Sequence, residues 1–342
     1  MNPKLKKIQE GLALKKLDGL ILFNPSNIFY LTGFRADNGI LFVTRKSMTL
    51  AIRELDYPAA CLNACCKLKK MDPFNDEKFL KKYRHIKKIG VERDILYEKY
   101  KKISSVFGGS ISFCDEILSN QRAVKSADEI KKIRAACSLA KRTMDFGMSI
   151  ARPGITEKEL AAEIVCFMRK NGADREAFDT IAAFGSHTAC PHHTPTDRKL
   201  KQDDIVYIDL GCAYEGYSSD LTRTFFLDRI KKYGIKVHNI VKDAYQRAIN
   251  AIKPGVVCKD VDSAARDFIA KKGFSKNFIH STGHGVGIDI HEGPNVSPKS
   301  VTVLKENMVL TVEPGIYIPG RFGVRIEDTV LVTKKGCEVL TK

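Results

Sequence analysis

Apolar residues recur at helical spacing across residues 5–17, at Leu5, Ile8 and Leu12, and the unbroken run GLILF at 19–23 then reads as a buried strand. Strand and helix signals go on alternating to about residue 115. GILFV, TLAI, IGV and ISF have the character of strands, and helices are expected near 55–65 and 97–105. This alternation predicts a small α/β domain. Over residues 121–128 the pattern changes. Ser126 with Glu129 predicts a capping box that opens a long helix running to about Ile150. The domain boundary is placed there, dividing the chain into residues 1–121 and 122–342.

The second part carries a faint internal repeat. RPGITEKELAAEI at 152–164 resembles KPGVVCKDVDSAA at 253–265, each following a helix and opening another. Pro153 and Pro254 lie 101 residues apart, as do Lys158 and Lys259. Strands carrying Asp209 and Asp220 follow the first copy, and strands carrying Glu313 and Glu327 follow the second, at offsets of 104 and 107. Two related halves would each contribute two carboxylates to a pseudo-twofold seam.

Composition narrows the class. A chain of 342 residues exceeds one typical core, and 44% hydrophobic with 28% charged residues is a globular balance. The amino-terminal apolar run is broken by Asp18 and ends at Asn24-Pro25, too short for a membrane span and without a small-residue cleavage site. A cytoplasmic protein is therefore expected. The ten cysteines form no CxxC pair and are expected to be reduced, buried thiols. Cys190 and Cys212 fall beside candidate site segments, where thiol reagents would inhibit without either being a nucleophile.

A net charge of +17 raises nucleic acid as a partner. Residues 67–88 hold nine Lys/Arg against three acids, with Phe74, Phe79 and Tyr83 interleaved. No nucleic-acid motif surrounds these aromatics, so a solvated lysine-rich surface is the expectation.

The chemistry concentrates near the carboxy terminus, in Asp209 (IDLG), Asp220 (SDLTRT), His284 (GHGVG), Glu313 (VEPG) and Glu327 (RIEDT). An aspartate inside the apolar run VYIDLGCAY is costly unless paired or metal-bound. Four converging carboxylates would balance two divalent cations, which at neutral pH generate a hydroxide and polarise a carbonyl. Oxygen donors with one imidazole suit Mn²⁺, Co²⁺ or Fe²⁺, with Zn²⁺ also open. Six of the eight histidines fall within 187–193 and 280–291. Among them His284 is favoured as the ligand because its flanking glycines permit close backbone approach. The others would hydrogen-bond a substrate carbonyl or carboxylate, except His187 and His193, which with His238 are expected to be structural.

The segments IDLGCAYEGYSSDLTRTF, STGHGVGIDIHEGP, VEPGIY and VRIEDT resemble those of the proline-specific pita-bread metallopeptidases, prolidase and aminopeptidase P. The resemblance spans essentially the whole chain and includes the linker RAVKSADEI. It implies an α/β (α+β) fold: a small creatinase-like domain followed by a pita-bread catalytic domain with an internal pseudo-twofold repeat. It also implies a metal set of Asp209, Asp220, His284, Glu313 and Glu327, with Asp220 and Glu327 bridging two ions, manganese or cobalt foremost. Substrate-handling histidines fall on His192 in CPHH, on His280 and on His291, and a guanidinium near the site on Arg325. The family's ALPH pattern stands here as Ala189-Cys190-Pro191-His192.

The implied reaction is hydrolysis of the bond before proline. A hydroxide attacks the carbonyl, Glu313 relays its proton toward the imino nitrogen, and His291 or His192 stabilises the oxyanion. Arg325 orients substrate or neighbouring acids, and the amino-terminal domain limits access to short peptides. Xaa-Pro dipeptidase activity is the first expectation and aminopeptidase P activity the alternative, since the motifs do not separate them. Methionine aminopeptidase shares the ligands but lacks the amino-terminal domain, and creatinase lacks the metal set. A metal-free peptide- or protein-binding module on the same fold is the non-enzyme alternative, which the intact ligand set argues against. Short proline-containing peptides and a second copy of the chain are the expected partners, with no specific nucleic acid and no membrane.

Overall fold

A computed structural model describes residues 3–72, 77–227 and 232–342. Contacts divide the chain into two compact units, Met1–Arg122 and Ala123–Lys342.

The amino-terminal unit is a six-stranded mixed sheet with helices. Its elements are α1 (Pro3–Leu14), β1 (Gly19–Leu22), α2 (Pro25–Thr32), β2 (Ile40–Thr44), β3 (Met48–Arg53), α3 (Tyr57–Asn63) and β4 (Lys67–Met71). Then come α4 (Glu77–Leu80), β5 (Lys88–Val91), α5 (Tyr97–Val106), β6 (Ser110–Phe113) and α6 (Glu116–Ala123). The strand order is β4-β3-β2-β1-β5-β6. Ile21, Phe42, Ile89, Val91, Ile103 and Phe107 form one of its apolar clusters.

Two elements here escape the hydropathy pattern. Asn24-Pro25, read as the end of an apolar run, opens α2: Asn24 accepts from the Ser26 and Asn27 amides, and proline takes the first helical position. β4 is built from KLKKM and lies at the sheet edge, where exposed lysines discourage pairing with another chain. In the same basic stretch Phe79 is buried and Tyr83 is half-buried and stacks on Phe42 at 4.0 Å. Phe74 lies outside the described residues.

The second unit repeats one plan. Its first half contains α7 (Ala127–Ile150), α8 (Glu157–Lys170), β7 (Arg175–Glu176), β8 (Ile181–Phe184), β9 (Ile205–Leu210), β10 (Cys212–Tyr214), β11 (Tyr217–Ser218) and β12 (Leu221–Phe226). The second half contains α9 (Lys232–Ala251), α10 (Cys258–Lys271), β13 (Gly283–Gly285), β14 (Glu292–Val296), β15 (Val309–Val312), β16 (Gly315–Ile318), β17 (Phe322–Arg325), β18 (Asp328–Val332) and β19 (Cys337–Val339). Helices α8 and α10 have equal length, 14 residues each, and their starts keep the 101-residue offset.

The turns before them match bond for bond. Gly154 N–H donates to Leu200 O and Gly255 N–H to Leu304 O, both at 2.9 Å. Both glycines have positive φ, +96° and +89°, a conformation that few other residues tolerate. Each half then forms an antiparallel pair, β9 with β12 and β15 with β18. The expected capping box is present, with Ser126 and Glu129 bonded reciprocally at the start of α7.

The cysteines depart from expectation in one respect. All ten lie outside disulfides, but only Cys114, Cys137, Cys212 and Cys258 are buried; Cys61, Cys65, Cys166 and Cys190 are exposed. The preference of the residue type for burial does not decide individual positions on helix faces and loops. Cys212 is sealed beside Thr143, and burial pushes its thiol up to about 12. Among the described residues no helix is long and apolar enough to cross a membrane.

Candidate metal centre

The carboxylates reach one place because strand register puts them there. β9 is buried along its length and carries Asp209, directly opposite Thr222 of β12. After β9 the chain turns back through the β10–β11 hairpin, with Glu215 and Gly216 at positive φ, and delivers Asp220 one residue before β12. In the second half Glu313 follows β15 and Glu327 stands one residue before β18.

Hydrogen bonds join the halves. Asp220 N–H donates to Thr329 Oγ1 at 3.1 Å, Thr329 Oγ1 donates to Asp220 O at 2.8 Å, and Glu327 N–H donates to Thr222 O at 3.2 Å. Two carboxylates from each half therefore meet at this seam.

A cavity of about 840 Å³ opens on them, lined also by His192, His280, His284, His291 and Arg325. His284 Nε2 lies 3.5 Å from Asp220 Oδ2 and 3.4 Å from Glu313 Oε1. Ligand atoms of Asp220, His284 and Glu327 all fall within 4.8 Å of one another. The glycines around His284 are required by space. A Cβ on Gly283 would sit 2.0 Å from Thr311 O, and one on Gly285 would sit 2.1 Å from Gly293 O.

The electrostatics are those of an anionic pocket. Burial, and then Glu327, Asp209 and Glu313, hold Asp220 well above the usual carboxylate range. Burial and then Glu313 and Asp209 do the same for Glu327. Asp209 is raised by burial against the opposing pull of Arg325. Glu313 is also burdened by burial, but His284, Arg325 and His280 outweigh it and keep its value low. Asp209 Oδ1 is buried and has no hydrogen-bond partner among the described residues. An orphaned carboxylate oxygen beside three more acids and an imidazole fits divalent cations.

The remaining predicted residues separate into two groups. His192 and His291 are exposed onto the cavity, with the His291 ring 4.3 Å from that of His284. His280 lines the cavity but is engaged at both nitrogens, Nδ1 on Ser281 O at 2.8 Å and Nε2 on Tyr317 Oη at 2.9 Å. Arg325 is buried with a partner on each nitrogen: Nε donates to Thr222 Oγ1, one terminal nitrogen to Tyr317 Oη and the other to Asp209 Oδ2. Of the two roles left open for Arg325, the contacts match the neighbouring acid rather than a substrate.

Sequence reasoning missed Thr222, which donates to Glu327 Oε2, and Thr311, which bonds both His284 N–H and Glu313. It also missed Tyr317, although that residue ends the VEPGIY segment. His187 and His193 lie on Glu157, at 2.9 and 2.8 Å.

Buried carboxylates, an imidazole and a cavity at a pseudo-twofold seam define a metal-dependent hydrolase of the pita-bread fold. Residues 131–334 match the model of metallopeptidase family M24, and residues 4–124 match the creatinase/prolidase N-terminal domain. The chain belongs to metallopeptidase family M24. It is 39% identical over 349 residues to the Xaa-Pro dipeptidase of Pyrococcus horikoshii, covering 100% of this chain and 97% of that relative. The solved structure of the prolidase from Pyrococcus horikoshii OT3 superimposes with a TM-score of 0.96 at 37% identity, covering 100% and 98% of the two chains. The X-Pro aminopeptidase from Thermotoga maritima is also similar, with a TM-score of 0.89, 35% identity and 97% of each chain covered.

Proposed function

We propose that this metallopeptidase hydrolyses the Xaa–Pro bond of dipeptides. The observation that carries the reading is the match to an Xaa-Pro dipeptidase over 100% of this chain and 97% of that relative. Two divalent cations per chain, manganese or cobalt, would be held by Asp209, Asp220, His284, Glu313 and Glu327. When bound they supply Lewis acidity and lower the pKa of water.

The protein's own groups do the rest. Glu313 takes the proton of the attacking water and returns it to the imino nitrogen of proline. His192 and His291 face the cavity and donate to the carbonyl oxygen as negative charge develops there. Arg325 fixes Asp209, and His280 is held by Tyr317, so both act by positioning rather than by contact.

Removal of an amino-terminal residue before proline in longer peptides is the second reading, favoured by the likeness to the Thermotoga maritima enzyme. Comparing a free dipeptide with a tripeptide separates the two. A homodimer and a cytoplasmic setting are part of the proposal; sedimentation of the purified protein tests the first.

A further inference from the structure

Outside the metal ligands one buried carboxylate commands an unusual share of the site. Glu157 is the first residue of α8 and fully buried. Its Oε1 accepts from Phe184 N–H at 2.9 Å and faces His187 Nδ1 at 2.9 Å. Its Oε2 accepts from Thr196 N–H at 3.0 Å and Thr196 Oγ1 at 2.6 Å, and faces His193 Nε2 at 2.8 Å. Burial works to raise its pKa, but the bonds from Thr196, His193 and the Phe184 amide win and hold it below the usual range. The group is an ionised acceptor, so both facing imidazole nitrogens are N–H donors. Five donors crowd the roughly four lone-pair sites of a carboxylate.

All five donors belong to one stretch, the end of β8 and the loop running on to Thr196. That loop carries His192, adjacent to His193, and both line the catalytic cavity. The second half of the fold uses a similar device. Asp262 of α10, also fully buried, accepts from Thr282 N–H and Thr282 Oγ1 and pairs with Arg266, which donates to His280 O. In each half, then, a buried acid on the second helix pins the segment that brings a histidine to the cavity.

We infer that Glu157 is a positioning residue for the peptidase reaction, acting through the 185–196 loop to set His192 over the scissile carbonyl. The inference rests on the peptidase reading for its kinetic arm only. Glu157→Gln keeps the shape but turns an NH₂ group against N–H and O–H donors, so the loop must shift. Thr196→Val is a milder second variant that removes a single donor.

The test is a double-mutant cycle on metal-loaded enzyme with His192→Ala. Glu157→Gln should lower kcat at least about tenfold with KM and metal content nearly unchanged. In the His192→Ala background the same change should cost less than about twofold, because residues acting as one unit are not additive. In histidine-labelled protein, the His192 imidazole resonance, assigned by its loss in His192→Ala, should move in Glu157→Gln and Thr196→Val while that of His238 stays in place. Additive kinetics, an unmoved His192 resonance, or a metal ion lost with Glu157 would each overturn the inference. A wild type inactive on every peptide would defeat the peptidase reading, and the resonance would still decide the role of Glu157.

Discussion

At the scale of single residues, the site is a problem of like charge. Two unit charges 4 Å apart interact by about 4 kcal/mol at an effective dielectric near 20, and the Arg325 guanidinium is pledged to Asp209. Asp220→Asn removes one charge from the proposed metal set, so metal content by plasma emission spectroscopy and activity should both fall. His192→Ala should lower kcat by about a hundredfold, the lower end of the range for an acid–base or oxyanion contact, with metal content retained. Loss of a metal in that variant would make His192 a ligand instead. Glu157 gives a pH prediction with a definite sign. Its folded pKa lies below the ordinary value near 4.3, so it stabilises the fold above that pH, and the contribution is lost as pH falls through the folded value. The melting-temperature gap between wild type and Glu157→Gln should be full at pH 7 and shrink as pH falls below the ordinary carboxylate range; a gap independent of pH would contradict this. The acids themselves were legible in the sequence because each stands in a short apolar or glycine-marked segment. Thr222, Thr311 and Tyr317 were not, because their importance arises from cross-strand register, which residue type does not reveal.

At the scale of elements, what could be read depended on whether the signal was local. The capping box of α7 is a contact between residues three apart and was visible as Ser126 and Glu129. Ser126→Ala should cost about 1 kcal/mol in urea denaturation. β4 was invisible because KLKKM has neither alternation nor an apolar run; it becomes a strand through its parallel pairing with β3. The same non-local logic governs β13. Its glycines are read easily, but only the observed packing shows that a Cβ at Gly283 collides with the Thr311 carbonyl. Gly283→Ala should therefore displace His284 and reduce metal binding along with activity, measured by titration of the apo-protein with Mn²⁺. Unchanged affinity would mean that the strand absorbs the collision elsewhere.

At the scale of the whole molecule, the second unit is one plan used twice, and the charge that its two halves bring together needs cations to balance it. Chelation should lower the melting temperature in calorimetry and restored metal should recover it; no change would contradict a metal-stabilised seam. The repeat was legible from two Pro-Gly helix starts at a constant offset, while the seam that makes it functional depends on bonds such as Thr329 to Asp220 between distant segments. The substrate is the central claim. A dipeptidase must read the free carboxylate of a terminal proline, and a charge-assisted hydrogen bond to it outweighs a neutral one. The most direct measurement compares hydrolysis of Ala-Pro, Ala-Pro-Ala and Ala-Pro-amide by the Mn²⁺-loaded protein. Ala-Pro should be cleaved fastest and the amide scarcely at all; efficient cleavage of Ala-Pro-Ala with none of Ala-Pro would contradict the assignment.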